Sequence, residues 1–107
     1  MIQNDVTIQN YKKEVLKSKK PVLLCFLAYW CSACFLSKDA IFNFKSENAK
    51  KIKVLSIDTD KQEELSMRYE VKTLPTFVLV YKGDKIARLE GKQTKETLEE
   101  FVYKFIK

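Results

Sequence analysis

The sequence predicts a single α/β domain, a central mixed β-sheet of four to five strands flanked by about four helices. Apolar runs of strand length alternate with segments of helical period, which implies parallel pairing across helical crossovers. Late in the chain, Lys82-Gly83-Asp84 separates two strand-like runs, so a hairpin adds an antiparallel edge. The 107 residues, 46% of them hydrophobic, suffice for one core and not for two, so 1–107 is read as one domain.

The elements follow in order. A short strand is expected at Ile2 to Val6. Ile8, Tyr11, Val15 and Leu16 fall at helical spacing, so roughly 8–18 is an amphipathic helix. Pro21 precedes Val22-Leu23-Leu24-Cys25-Phe26-Leu27-Ala28, apolar on both faces as a central covered strand must be. Ser32 to about Asn48 is a second helix, with Phe35, Ile41, Phe42 and Phe44 among its apolar residues. Val54 to Ile57 is a core strand. Asp60 to Arg68 is a short helix, with Asp60 as its cap and Glu63 placed for a capping box. Phe77 to Tyr81 is a third core strand and Lys85 to Leu89 its hairpin partner. Leu98, Phe101, Val102, Phe105 and Ile106 mark a final amphipathic helix capped by Thr94.

Composition narrows the function. The net charge of +6 comes from lysines spread along the chain, with runs too short for a nucleic-acid arm. That charge suits a soluble surface and faster encounter with acidic partners. No apolar run approaches the roughly 20 residues that cross a bilayer. No basic segment leads into an apolar stretch at the N-terminus, so the cytoplasm is the expected location. A reducing compartment favours catalytic or metal-binding cysteines over structural disulfides. The chain has no histidine, which excludes a His general base, a Cys–His nucleophile pair and a His-containing zinc site.

The chemistry concentrates in Trp30-Cys31-Ser32-Ala33-Cys34, which leaves a core strand and opens a helix. Free amides and the helix dipole favour an anion there, so the Cys31 thiolate is expected to be stabilised. Cys34 lies one turn in, on the same face, and is expected to be more buried. Cys31 would attack a substrate disulfide, and Cys34 would then attack the Cys31 sulfur and release the reduced product. Two readings compete: a pair that merely packs in the core, and a metal site. Tetrahedral zinc or a cluster wants four ligands, and this chain offers the pair and a lone Cys25, so no metal is expected. Thr73-Leu74-Pro75-Thr76 precedes the third core strand. On its own, Pro75 reads as an ordinary strand-starting proline, although a cis bond there would be a structural commitment.

Taken together, Trp-Cys-x-x-Cys after an apolar strand, Leu-Pro-Thr some forty residues later, Gly83 in a hairpin and Gly91 before an amphipathic helix resemble thioredoxin over nearly the whole chain, from about Val6 onward. The resemblance implies the thioredoxin fold, a protein-disulfide reductase and a cis Leu74–Pro75 bond facing the cysteines. It also implies a redox-active Cys31–Cys34 disulfide with no bound cofactor. Catalysis would fall to Cys31 and Cys34, supported by Trp30, Ser32, Ala33 and Pro75. Trp30, Thr73, Leu74, Pro75 and Gly91 would grip an extended substrate segment, with backbone near Thr73 pairing in strand fashion. The partners implied are protein disulfides and a flavoenzyme thioredoxin reductase, acting on a monomer, with no nucleic acid and no membrane. A specialised exchanger or isomerase with a dedicated partner, and a non-catalytic binding module, are the alternatives.

The chain departs from the family pattern in four places. The usual Gly-Pro between the cysteines is Ser32-Ala33. A Ser32 hydroxyl donating to the Cys31 thiolate would make the pair less reducing. The family's buried Asp and its accompanying Lys correspond to Cys25 and Val54, which leaves Cys34 without its proton acceptor. Cys25 itself reads as a small core hydrophobe, with a third redox partner as the sharper alternative. The helix-kinking proline corresponds to Asp39, so a straighter helix is expected. Cys25→Asp is expected to speed resolution of a Cys31 mixed disulfide several-fold at neutral pH, measured by single-turnover kinetics; an unchanged rate would refute the missing-acceptor argument.

Overall fold

Each of the six residues of Val22–Leu27 (β1) is buried, and the other elements are arranged around this strand. The computed structural model describes residues 4–106. β1 pairs in parallel with Lys53–Asp58 (β2), with Cys25 opposite Ser56. It pairs antiparallel with Thr76–Tyr81 (β3), with Cys25 opposite Phe77. Asp84–Glu90 (β4) completes the sheet, whose order is β2-β1-β3-β4. Lys82 and Gly83, at φ of 53° and 83°, form the two-residue turn into β4. Positive φ at both positions matches the twist of a hairpin, and glycine takes it without strain.

Alternation along β1 divides the core between the two faces of the sheet. Leu23, Cys25 and Leu27 point to one side, where they pack with Ile41 and Phe44 of Ser32–Glu47 (α1) and Leu98 and Val102 of Lys95–Phe105 (α3). Val22, Leu24 and Phe26 point to the other, against Tyr11, Val15 and residues Leu65 and Tyr69 at Glu63–Arg68 (α2). Cys25, Cys31 and Cys34 therefore share one cluster, on the α1/α3 side.

Several sequence expectations need correction. Of Ile2 to Val6, the first two residues lie outside the described residues. Asn4 to Val6 forms no strand: Asp5 N–H donates to Ser56 O at 2.8 Å, and the remaining links to β2 run through the Asn4 and Asp5 side chains. The first helix spans only Lys12–Leu16, with Tyr11 as its cap and a wide Lys17 N–H to Lys12 O bond. Tyr11 and Val15 are buried, whereas Ile8 and Leu16 are exposed. Four-residue spacing was thus enough to seat one face and not enough to extend the helix. On α1 the buried set is Cys34, Ser37, Ile41 and Phe44; Phe35 and Phe42, 64% and 67% exposed, point away from the core. α1 runs unbroken through Asp39.

The short α2 starts at Glu63, after Gln62, and Asp60 does not cap it. Asp58 closes the preceding turn instead, its Oδ1 accepting from Asp60 N–H at 3.0 Å. At α3 the expected cap is present. Thr94 Oγ1 accepts from Thr97 N–H at 3.1 Å, and Thr97 Oγ1 accepts from Thr94 N–H at 2.9 Å. Thr94→Ala is expected to cost about 1 kcal/mol, lowering the thermal midpoint by about 4–8 °C for a domain of this size. A midpoint within a degree of the parent would show that the reciprocal cap contributes nothing.

Candidate active site

The end of β1 builds the site. The strand stops at Leu27, the chain turns through Tyr29 and Trp30, and α1 begins at Ser32 with Cys31 as its cap residue. A cap residue is extended and offers its side chain to an orphan amide of the first turn. Here the acceptor is sulfur: Cys34 N–H donates to Cys31 Sγ at 3.1 Å. The same sulfur lies 3.7 Å from Leu74 O. Leu74–Pro75 is a cis peptide, and that Leu74 contact sets the loop before β3 against Cys31. Both cysteines are free thiols.

Cys34 is the more buried of the pair, as expected, but only slightly. Cys31 and Cys34 are 8% and 6% exposed. They differ in electrostatics. Burial first, then the hydrogen bond with Cys31, push the Cys34 thiol up to about 12; the Ala28 amide pulls against them, and the Cys31 charge adds a smaller push. Cys25 is fully buried, and burial first and then nearby Asp5 push its thiol far up. Its sulfur lies 4.0 Å from Leu23 O of its own strand. Cys25 thus packs as a core residue in the reduced protein.

The surface around Cys31 is a shallow groove of about 380 Å³ lined by Trp30, Cys31, Thr59, Ser66, Val71, Lys72 and Leu74. Trp30 is 63% exposed, and its indole N–H donates to Asp60 Oδ2 at 2.9 Å, which fixes the ring beside the sulfur. Asp60 therefore belongs to the site, a role hidden in the sequence because its position also suits a helix cap. Pro75 is buried, Thr73 is exposed, and Gly91 N–H donates to Pro75 O at 2.8 Å. Gly91, at φ 92°, takes a conformation that strains other residues. Ala33 is half-buried against the core cluster. Ser32 is exposed and makes no hydrogen bond to Cys31; the Cys34 amide is the donor there. Among the described residues, no group of three or more Cys, Asp or Glu converges as a metal site would require.

A cap cysteine over a helix amide, a second cysteine one turn in and a cis-proline loop across from both form one geometry. The thioredoxin family model matches residues 3–104. The chain belongs to the thioredoxin family. It is 34% identical over 103 residues to a thioredoxin of Rickettsia felis, covering 96% of this chain and 98% of that one. A thioredoxin of Porphyra purpurea is 30% identical and covers 99% of each chain. Among solved structures, the germline-specific thioredoxin Deadhead of Drosophila melanogaster superposes with a TM-score of 0.86 at 29% identity, covering 98% of this chain and all of that one. The thioredoxin fold is thereby shown, and family membership supports a thiol–disulfide oxidoreductase. No described helix is long and apolar enough to cross a membrane.

Because thiolates are the nucleophiles, the electrostatic contrast should show in labelling. Iodoacetamide at neutral pH is expected to alkylate Cys31 well ahead of Cys34 and Cys25, read by peptide mass mapping. Equal labelling of Cys31 and Cys34 would contradict the contrast.

Proposed function

We propose that this thioredoxin-family protein reduces protein disulfides, with Cys31 as nucleophile and Cys34 as resolving thiol. The observation that carries the reading is the Cys31 sulfur, held by the Cys34 amide and facing the carbonyl of Leu74 beside the groove. The helix N-terminus places amide donors and the positive end of a dipole at the attacking atom. The Cys31 thiolate attacks one sulfur of the substrate disulfide and the other sulfur leaves as a thiolate. Cys34, once deprotonated, attacks Cys31, so a Cys31–Cys34 disulfide forms and the second substrate sulfur leaves with the electron pair. The two protein sulfurs are oxidised and the two substrate sulfurs reduced.

The groove suits an extended segment laid against the Thr73–Pro75 loop, with Trp30 and Leu74 as apolar contacts and Gly91 leaving room beside Pro75. A flavoenzyme thioredoxin reductase would return electrons to the pair, in the cytoplasm. A specialised exchanger is the second reading, favoured by the apolar setting in which Cys25 and Val54 stand in place of a buried charged pair.

Reduction of insulin's interchain disulfides, followed as turbidity with dithiothreitol as electron source, tests the proposal. The parent protein is expected to accelerate precipitation. Cys31→Ser should abolish the acceleration, and Cys34→Ser should accumulate a covalent complex visible on non-reducing gels. Acceleration that survives loss of both cysteines would overturn the assignment.

A further inference from the structure

Ser37 is completely buried, and its Oγ is the one buried side-chain oxygen or nitrogen without a hydrogen-bond partner among the described residues. Serines inside helices commonly satisfy themselves on the carbonyl one turn back. Two others in this chain do so: Ser46 Oγ donates to Phe42 O at 2.9 Å and Ser66 Oγ to Gln62 O at 3.0 Å. Ser37 does not, although it sits in the middle of the longest helix. A buried hydroxyl with no partner is unfavourable, so an orphan of this kind calls for a reason.

Its position supplies one. Cys34 and Ser37 are three residues apart on the buried face of α1, where side chains at that spacing are neighbours. The Cα–Cβ bonds of a helix tilt toward its N-terminus, so Ser37 leans over the turn that carries Cys34. During resolution, Cys34 must hold a negative charge in this apolar setting. Its own amide is committed to Cys31 Sγ. Cys31, at the start of its helix, and Cys25, from β1, share its buried cluster, whereas Tyr103 of α3 lies at the far end of α1, where its hydroxyl donates to Asn48 Oδ1. Asp5, Tyr29, Lys38 and Lys45 line a second cavity, of about 300 Å³ and separate from the groove beside Cys31, that reaches Cys34. None of these carboxylates or ammonium groups contributes to the shift of the Cys34 thiol; Cys31 alone among them does, and it opposes ionisation. The Ala28 amide is the one group that favours the charge.

We propose that Ser37 is a positioning residue for the resolving step, its hydroxyl turning about χ1 to donate to the Cys34 thiolate as that charge forms. The inference rests on the thiol-exchange reading. In the step, Cys34 gives its proton to buffer base and accepts the Ser37 hydrogen bond. It attacks Cys31 Sγ, the bond from Cys31 to the substrate sulfur breaks, and the electron pair leaves on that sulfur. The reduced dithiol protein holds Ser37 unsatisfied, and the thiolate intermediate satisfies it.

The test uses one equivalent of a nitrobenzoate disulfide, whose released thiolate is coloured, mixed with the full-length dithiol protein across a pH series. The first release reports attack by Cys31 and the second reports resolution by Cys34. Ser37→Ala is expected to leave the first phase unchanged. It should slow the second about tenfold at neutral pH and move its pH midpoint up by about one unit, as loss of a hydrogen bond to a charged group implies. Removing an orphan hydroxyl should leave the thermal midpoint equal or higher, which separates the effect from damage to the fold. Ser37→Thr restores the hydroxyl and should restore the second phase. A Ser37→Ala second phase with the parent's rate and midpoint would overturn the inference alone. Release of a single equivalent by the parent protein at every pH would overturn the exchange reading on which it rests.

Discussion

The site depends on one hydrogen bond, from the Cys34 amide to the Cys31 sulfur at 3.1 Å. That bond exists because β1 is buried between two neighbours and must end where its pairing ends. β2 and β3 both run out beside Phe26 and Leu27, and the chain has to leave the sheet within a few residues. A helix starting there presents its unpaired amides at the sheet's end. Cysteine in the cap position then replaces the usual oxygen acceptor with sulfur. The loop before β3 is brought alongside by the same register, since Phe26 pairs with Thr76 one residue past the cis proline.

The two sulfurs have similar exposure and very different surroundings. Cys31 faces a groove, amide hydrogen and the start of a helix. Cys34 faces the cluster of Cys25, Ile41, Phe77 and Leu79, where ionisation is disfavoured. On the proposed exchange, the two roles follow these surroundings, since both sulfurs are nearly buried. Cys25 at 0% and Val54 at 4% exposed keep this setting apolar.

The sheet was legible in the sequence wherever burial on both faces forced an apolar run, as at Val22–Leu27 and Thr76–Tyr81. The last helix was legible because Leu98 and Val102 repeat at helical period and Thr94 caps it. The cysteine pair was legible because its spacing and its position between strand and helix are both local. What escaped depends on tertiary placement. Phe35 and Phe42 are apolar by type like Ile41 and Phe44, yet the helical rotation that buries Cys34, Ser37, Ile41 and Phe44 turns them outward. Asp60 looked like a cap, and its carboxylate instead holds Trp30, thirty residues earlier in the chain. Ser37 gave no signal at all, since serine on a helix is ordinarily exposed or bonded to its own backbone.

The central claim is that Cys31 and Cys34 form a reversible dithiol–disulfide couple. Equilibrating the protein in graded thiol/disulfide buffers, trapping free thiols with acid and an alkylating tag, and mapping the tags by mass tests this most directly. The account predicts one two-electron transition in which Cys31 and Cys34 gain and lose their tags together while Cys25 stays reduced throughout. A pair that never forms a disulfide, or one in which Cys25 replaces either partner, would contradict it.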